Sequence, residues 1–117
     1  MNVADLSVDL QNELKRRKYF TQMDILEQTS SLLKARLYIS NDLFVQIYRN
    51  DRYDTTNLAL IYNGNRLFAR DELDGKWHRH TQSAPEEHDV GGEGSKAISL
   101  TEFLDEVEVV LSEMNLP

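Results

Sequence analysis

The chain of 117 residues is 40% hydrophobic and 28% charged, a balance that suits one globular domain and excludes a disordered chain. No apolar run reaches the length of a membrane helix, and the N-terminus lacks the basic-then-apolar layout of a signal peptide, so a cytoplasmic protein without membrane association is expected. The absence of cysteine removes disulfides, thiolate metal sites and thiol nucleophiles, while a net charge of −7 argues against a generic nucleic-acid binder.

Val3, Leu6, Leu10 and Leu14 recur at helical spacing, and the spacing predicts a helix over residues 3–17. The run Lys15-Arg16-Arg17-Lys18 loads its last turn with positive charge; it reads as a complement to the helix C-terminus more simply than as a nucleic-acid patch. From Ile25 the period turns to alternation, with Leu33, Ala35, Leu37 and Ile39 on one side and Lys34, Arg36 and Tyr38 on the other. Beyond the turn residues Ser40-Asn41-Asp42, Leu43, Val45 and Ile47 alternate with Phe44, Gln46 and Tyr48. A polar loop, 50–56, leads into a strand over 57–62. Asn63-Gly64 is the strongest hairpin signal, Asp74-Gly75 a second, and strands over 66–73 and 76–82 complete a meander.

Residues 83–98 form one mobile loop in this reading, because Pro85, Gly91, Gly92 and Gly94 break any apolar period. Ser99-Leu100-Thr101-Glu102 is a capping box that opens a helix over 100–114, with Phe103, Leu104, Val107, Val110, Leu111 and Met114 as its apolar stripe and Asp105, Glu106, Glu108 and Glu113 as its wet face. The expected fold is one α+β domain over 1–117: an antiparallel meander of about five strands with the N- and C-terminal helices packed on one face. Charge divides along it as −1 over residues 1–29, +2 over 30–82 and −8 over 83–117.

The open face of the sheet depends on register. A tight turn at Asn63-Gly64 pairs Leu60 with Leu67 and Leu58 with Ala69, which turns Arg66, Phe68 and Arg70 away from the core. At Asp74-Gly75 a two-residue loop would pair Asp71 with His78 and put the histidines on the core side, whereas a three-residue loop would pair Leu73 with Trp77 and Arg70 with His80. Burial of Trp77 favours the second. The open face then gathers Lys34, Arg36, Tyr38, Phe44, Gln46, Tyr48, Arg66, Phe68, Arg70, His78 and His80. Cations interleaved with aromatics suit single-stranded RNA, with phosphates on the former and bases on the latter; exposed antiparallel faces also carry such residues for sheet stability alone, and aromatics serve protein partners too.

His78-Arg79-His80 is the densest chemistry in the chain. In a strand the two imidazoles share a face and Arg79 takes the other. An imidazole pair can divide into general base and general acid for RNA cleavage, with Asp71 or Glu72 orienting one ring and Arg70 or Arg79 stabilising phosphorane charge. Two histidines at i and i+2 are also half of a metal site that Asp71 or His88 could complete, but no further ligand has a recognisable spacing, and no metal or cofactor is expected. Paired surface histidines without a role are the bland alternative.

From Leu37-Tyr38-Ile39 through Asn63-Gly64 to Asp71, Gly75, His78, Arg79, His80 and the closing helix, residues 30–114 resemble the TumE-like family of small prokaryotic proteins. Its members are described as the toxin half of toxin–antitoxin pairs beside a helix-turn-helix antitoxin. The resemblance implies functional positions at Asp71, His78, Arg79 and His80, an antitoxin partner and no particular reaction; strong acidity departs from a typical RNA-cleaving toxin. Together these readings point to a toxin-like, metal-independent ribonuclease with His78, His80 and Asp71 as catalytic residues and Arg79, Arg70, Arg66, Arg36, Tyr38, Tyr48 and Phe68 on substrate. The alternative is a non-catalytic interaction module using the open sheet face or the acidic last helix.

Overall fold

A computed structural model describes residues 1–81 and 94–116 in full and the backbone of 84–89. Helix α1 (Val3–Arg16) begins at Asn2, whose side chain accepts the Asp5 N–H, and buries Val3, Leu6, Leu10 and, unexpectedly, Glu13. Helix α2 (Leu100–Glu113) carries the full capping box between Ser99 and Glu102 and buries Leu100, Phe103, Leu104, Val107 and Leu111. Among the described residues no helix is long and apolar enough to cross a membrane.

Between the helices the chain runs as an antiparallel meander in strict sequence order: β1 (Gln22–Gln28), β2 (Leu32–Ser40), β3 (Leu43–Asn50), β4 (Thr55–Tyr62), β5 (Asn65–Leu73), β6 (Lys76–Thr81) and β7 (Ala84–Asp89). Among the described residues the count is seven, against about five expected. Residues 22–28 alternate too weakly to be read as β1, since the strand is mostly exposed; β7 occupies part of the stretch expected to be a loop, while 82, 83 and 90–93 lie outside the described residues. The 50–56 loop is mainly one 3-10 turn, Asp51–Tyr53.

Both helices lie on one side of the sheet, as the amphipathic stripes require. Their apolar residues meet Leu33, Ala35, Leu37, Val45, Ile47, Leu58 and Leu60 in one core. Each such leucine contributes about 1.5–3 kcal/mol when fully buried.

Two one-residue differences in register decide which side chains reach the other side. The β4–β5 hairpin has a bulge at Leu67, so Ile61 faces Arg66 but Leu60 faces Phe68, Leu58 faces Arg70 and Asn57 faces Asp71. Phe68 and Arg70 are therefore on the helix side, contrary to expectation. Phe68 stacks on Phe103 at 5.7 Å, and Arg70 forks onto Glu106 at 2.9 and 2.6 Å. Helix α2 supplies both partners, so the bulge buries a large ring and pairs a guanidinium that an unbroken hairpin would leave outside.

Asp74-Gly75 then makes the two-residue turn rather than the three-residue one: Asp74 at φ 53° and Gly75 at φ 78° repeat Asn63 at 50° and Gly64 at 79°. Leu73 pairs with Lys76, Glu72 with Trp77, Asp71 with His78 and Ala69 with His80. The two slips cancel. Trp77 is buried on the helix side and the histidines stand on the open side, as expected, through a register that differs at both turns.

Candidate functional site

On the side away from the helices, antiparallel pairing aligns side chains in rows across the strands. One row runs Lys34, Tyr48, Asn57, Asp71, His78; the next runs Arg36, Gln46, Ala59, Ala69, His80; a third brings Tyr38, Phe44, Ile61 and Arg66 together. Asp71, which the bulge turned to this side, stands directly opposite His78, and its Oδ2 approaches His80 Nε2 at 3.0 Å. Asn57 donates from Nδ2 to the other Asp71 oxygen. Arg66 Nη2 lies 3.4 Å from His80 Nδ1.

A guanidinium only donates and a carboxylate only accepts, so the Nε2–H tautomer of His80 suits both neighbours at once. The 3.0 Å approach is close but lies outside aligned hydrogen-bond geometry. His80 is 3% exposed and Asp71 8%, whereas His78 is only half-buried. Of the two imidazoles, His78 is the more exposed, and His80 serves as a wedge between Asp71 and Arg66.

The other predicted positions divide between the faces. Arg36, Tyr38, Tyr48 and Arg66 share the open side with the histidines. Arg36 lies over the Phe44 ring at 4.6 Å and donates to the Tyr38 hydroxyl at 3.3 Å; Tyr38 and Phe44 are 5.2 Å apart, and Lys34 sits 5.9 Å from the Tyr48 ring centre. Phe68, Arg70 and Arg79 do not belong to this group. Arg79 pairs with Arg70 in register and so projects to the helix side, and Arg70 is 2% exposed. Neither can contact a phosphate beside His78 without crossing the sheet.

Sequence patterning missed Asn57, which the strand alternation places opposite Tyr48 but nothing local marks as a partner of Asp71. It also missed two ionic clusters on the helix side. In one, Arg17 Nε donates to Glu13 at 2.6 Å and its Nη2 to Asp105 at 2.9 Å and to the Thr101 carbonyl at 3.1 Å, while Nη1 bonds Glu108. Burial alone would raise the Glu13 carboxyl, but Thr101 and Arg17 outweigh it and hold it below the usual range. Burial likewise opposes the charge on Arg17, and its carboxylate partners hold it above the ordinary arginine range. Burial, then the Glu108 carboxylate, pushes the Tyr19 phenol up.

In the second cluster Arg49 meets Asp51 at 2.8 Å, Glu72 at 2.9 Å and Asp54 at 3.0 Å, and Asp51 accepts the Val3 N–H at the start of α1. Burial would raise Asp51, yet Arg49 and Val3 outweigh it and lower its pKa; the same three carboxylates outweigh the burial of Arg49 and raise its own. Asp105, Glu106 and Glu108, taken from sequence as a wet face, are thus engaged by Arg17 and Arg70. Among the described residues no three of His, Asp or Glu converge as metal ligands would, and the His88 side chain lies outside them. Comparison with protein-family profiles, curated proteins and solved structures finds no match to this chain.

Proposed function

We propose that the protein is a toxin-like, metal-independent ribonuclease acting in the cytoplasm on single-stranded RNA bound to the open face, and that a helix-turn-helix antitoxin is its partner. One observation carries the reading: on the face the helices leave uncovered, a buried carboxylate, Asp71, approaches His80 at 3.0 Å and is the cross-strand neighbour of His78, with a guanidinium, Arg66, at the far nitrogen of the His80 ring. The resemblance of Asp71, Gly75, His78, Arg79 and His80 to the TumE-like pattern supplies the toxin context.

In the reaction proposed, His78 takes the 2′-hydroxyl proton as the 2′-oxygen attacks phosphorus. The bond from phosphorus to the 5′-oxygen breaks, the 5′-oxygen takes a proton from water, the hydroxide so formed takes back the proton held by His78, and a 2′,3′-cyclic phosphate remains. Asp71, the cross-strand neighbour of His78, would favour the imidazolium that forms there. His80, with neighbours at both ring nitrogens, positions Asp71 and Arg66, and the Arg66 charge faces the developing phosphorane.

Removing the base by His78→Ala should lower cleavage by about 10²- to 10⁴-fold and relieve growth inhibition on expression. A 2′-deoxy nucleotide at the cleaved position should block the wild type. Cleavage of that substrate, or full activity in the variant, would refute the chemistry. The second reading, a non-catalytic interaction module, draws on the near-complete burial of His80, which leaves His78 as the more exposed imidazole of the pair. It would use the sheet face rather than α2, since three α2 carboxylates are held by arginines of the same chain. Toxicity that persists without cleavage would support it.

A further inference from the structure

The row that ends at His78 begins in a cleft. Over β2–β4 a concave space of about 480 Å³ is lined by Leu26, Lys34, Arg36, Gln46, Tyr48 and Asn57. That volume falls within the range of sites for small organic groups. Its lining joins two cations, one aromatic ring, two amides and one exposed leucine, 53% accessible, from the bulge of β1.

Arg36 differs from the guanidiniums of the two ionic clusters and from Arg70. Arg17, Arg49 and Arg70 are each matched by carboxylates, but among the described residues Arg36 forms no ion pair and its buried Nε has no hydrogen-bond partner. Its charge is thus unmatched among the described residues, and an anionic ligand in the cleft would supply the counter-charge. Asp24, opposite Arg36 in register, instead accepts from the Gln22 amide. The guanidinium is held over Phe44 and against Tyr38, so its orientation is set before any ligand arrives. Lys34 is 3.7 Å from Glu27, with both side chains 49% exposed, an exchangeable surface pair rather than a committed one.

We propose that this cleft is a nucleotide subsite for the single-stranded RNA: Arg36 and Lys34 hold a phosphate, Tyr48 stacks a base, and the Gln46 and Asn57 amides meet its edge. The proposal rests on the reading of the open face as an RNA surface. Asn57 links the subsite to the proposed reaction centre, because it lines the cleft and also donates to Asp71. Lys34 and His78 stand in one row four strand spacings apart, roughly 19 Å at about 4.8 Å per strand. The strand of RNA would cross the sheet, spanning a few nucleotides between the subsite and His78.

The test is fluorescence anisotropy of a short fluorescein-labelled single-stranded RNA with the full chain, titrated at several salt concentrations. Tyr48→Leu, which removes the ring and keeps apolar bulk, should weaken binding about 5- to 150-fold. Arg36→Met should weaken it and reduce the magnitude of the salt slope by about one. Lys34→Gln, at a half-exposed position that folding tolerates, should reduce the slope likewise. Urea midpoints near wild type confirm folded variants. If the wild type binds the RNA and all three variants bind it equally well, the cleft is not a subsite although the open face still holds RNA. If the wild type binds no RNA, the proposed function fails, and the subsite fails with it.

Discussion

Arg17→Met is expected to destabilise the protein by about 3–5 kcal/mol at pH 7, the loss typical when one partner of a buried pair is removed. The structure says which partner matters. Asp105 and Glu108 are 63% and 45% exposed, so water replaces Arg17 there at about 1 kcal/mol or less each. Glu13 is 5% exposed, and without Arg17 it keeps, among the described residues, the Thr101 hydroxyl at 2.6 Å and the largely exposed Arg16 at 3.5 Å. A buried carboxylate would then lack a close, desolvated counter-charge. Methionine retains much of the apolar stem, which keeps packing losses small.

Urea unfolding followed through Trp77 fluorescence measures the effect as a fall in midpoint of about 1.5–2.5 M, for a slope of about 2 kcal/mol per M. The slope itself should not change. The sign with pH follows from the depressed Glu13 pKa. As pH falls, the unfolded chain takes up the proton first, so the pair contributes fully above the unfolded carboxyl value of about 4.3 and its contribution drains away as pH passes through the lower folded value. The gap between wild type and variant should therefore narrow in acid. Adding Glu13→Gln to Arg17→Met should recover part of the loss. A single-variant effect below about 1 kcal/mol at pH 7, or one independent of pH, would show that Glu13 is not the group Arg17 stabilises.

Asp51→Asn removes the charge that binds Arg49 and the first amide of α1, and it should cost about 1.5–3 kcal/mol in thermal or urea unfolding at neutral pH. Because the folded pKa of Asp51 is lowered, that contribution is complete above about pH 4 and lost as pH falls through the folded value, so the two proteins should converge in stability in strong acid. Ser99→Ala deletes the α2 cap and should cost about 1 kcal/mol, measured by the same unfolding curve; no change would mean the Glu102 amide is satisfied without the serine hydroxyl.

Much of the architecture was legible because its signals are local. Helical spacing in 3–14 and 100–114, the capping box at Ser99 and the Asn-Gly turn each act over a few residues, and each appears in the structure where the spacing puts it. The exposed β1 and the β7 within the presumed loop were not legible. The largely exposed β1 alternates faintly, and the existence of a strand at the margin of a sheet depends on the neighbour it hydrogen-bonds. The run 15–18 shows the same limit: its charge complement to the helix end was readable, but which cation turns inward was not, since Glu13 and the carboxylates of α2 choose Arg17.

What the sequence by itself determined was the α+β order of elements, the two helices on one side of a meander, and the placing of His78 and His80 on a common face, because alternation and helical period are properties of adjacent residues. Only tertiary structure decided which side each half of β5 shows. The bulge at Leu67 is set by what α2 offers, a ring for Phe68 and a carboxylate for Arg70, across 35 and 36 residues of sequence. That choice moved Asp71 into contact with His80 and removed Arg70 from the open face. A one-residue shift inverts every side chain beyond it, so the chemistry of the site depended on packing that no local pattern encodes.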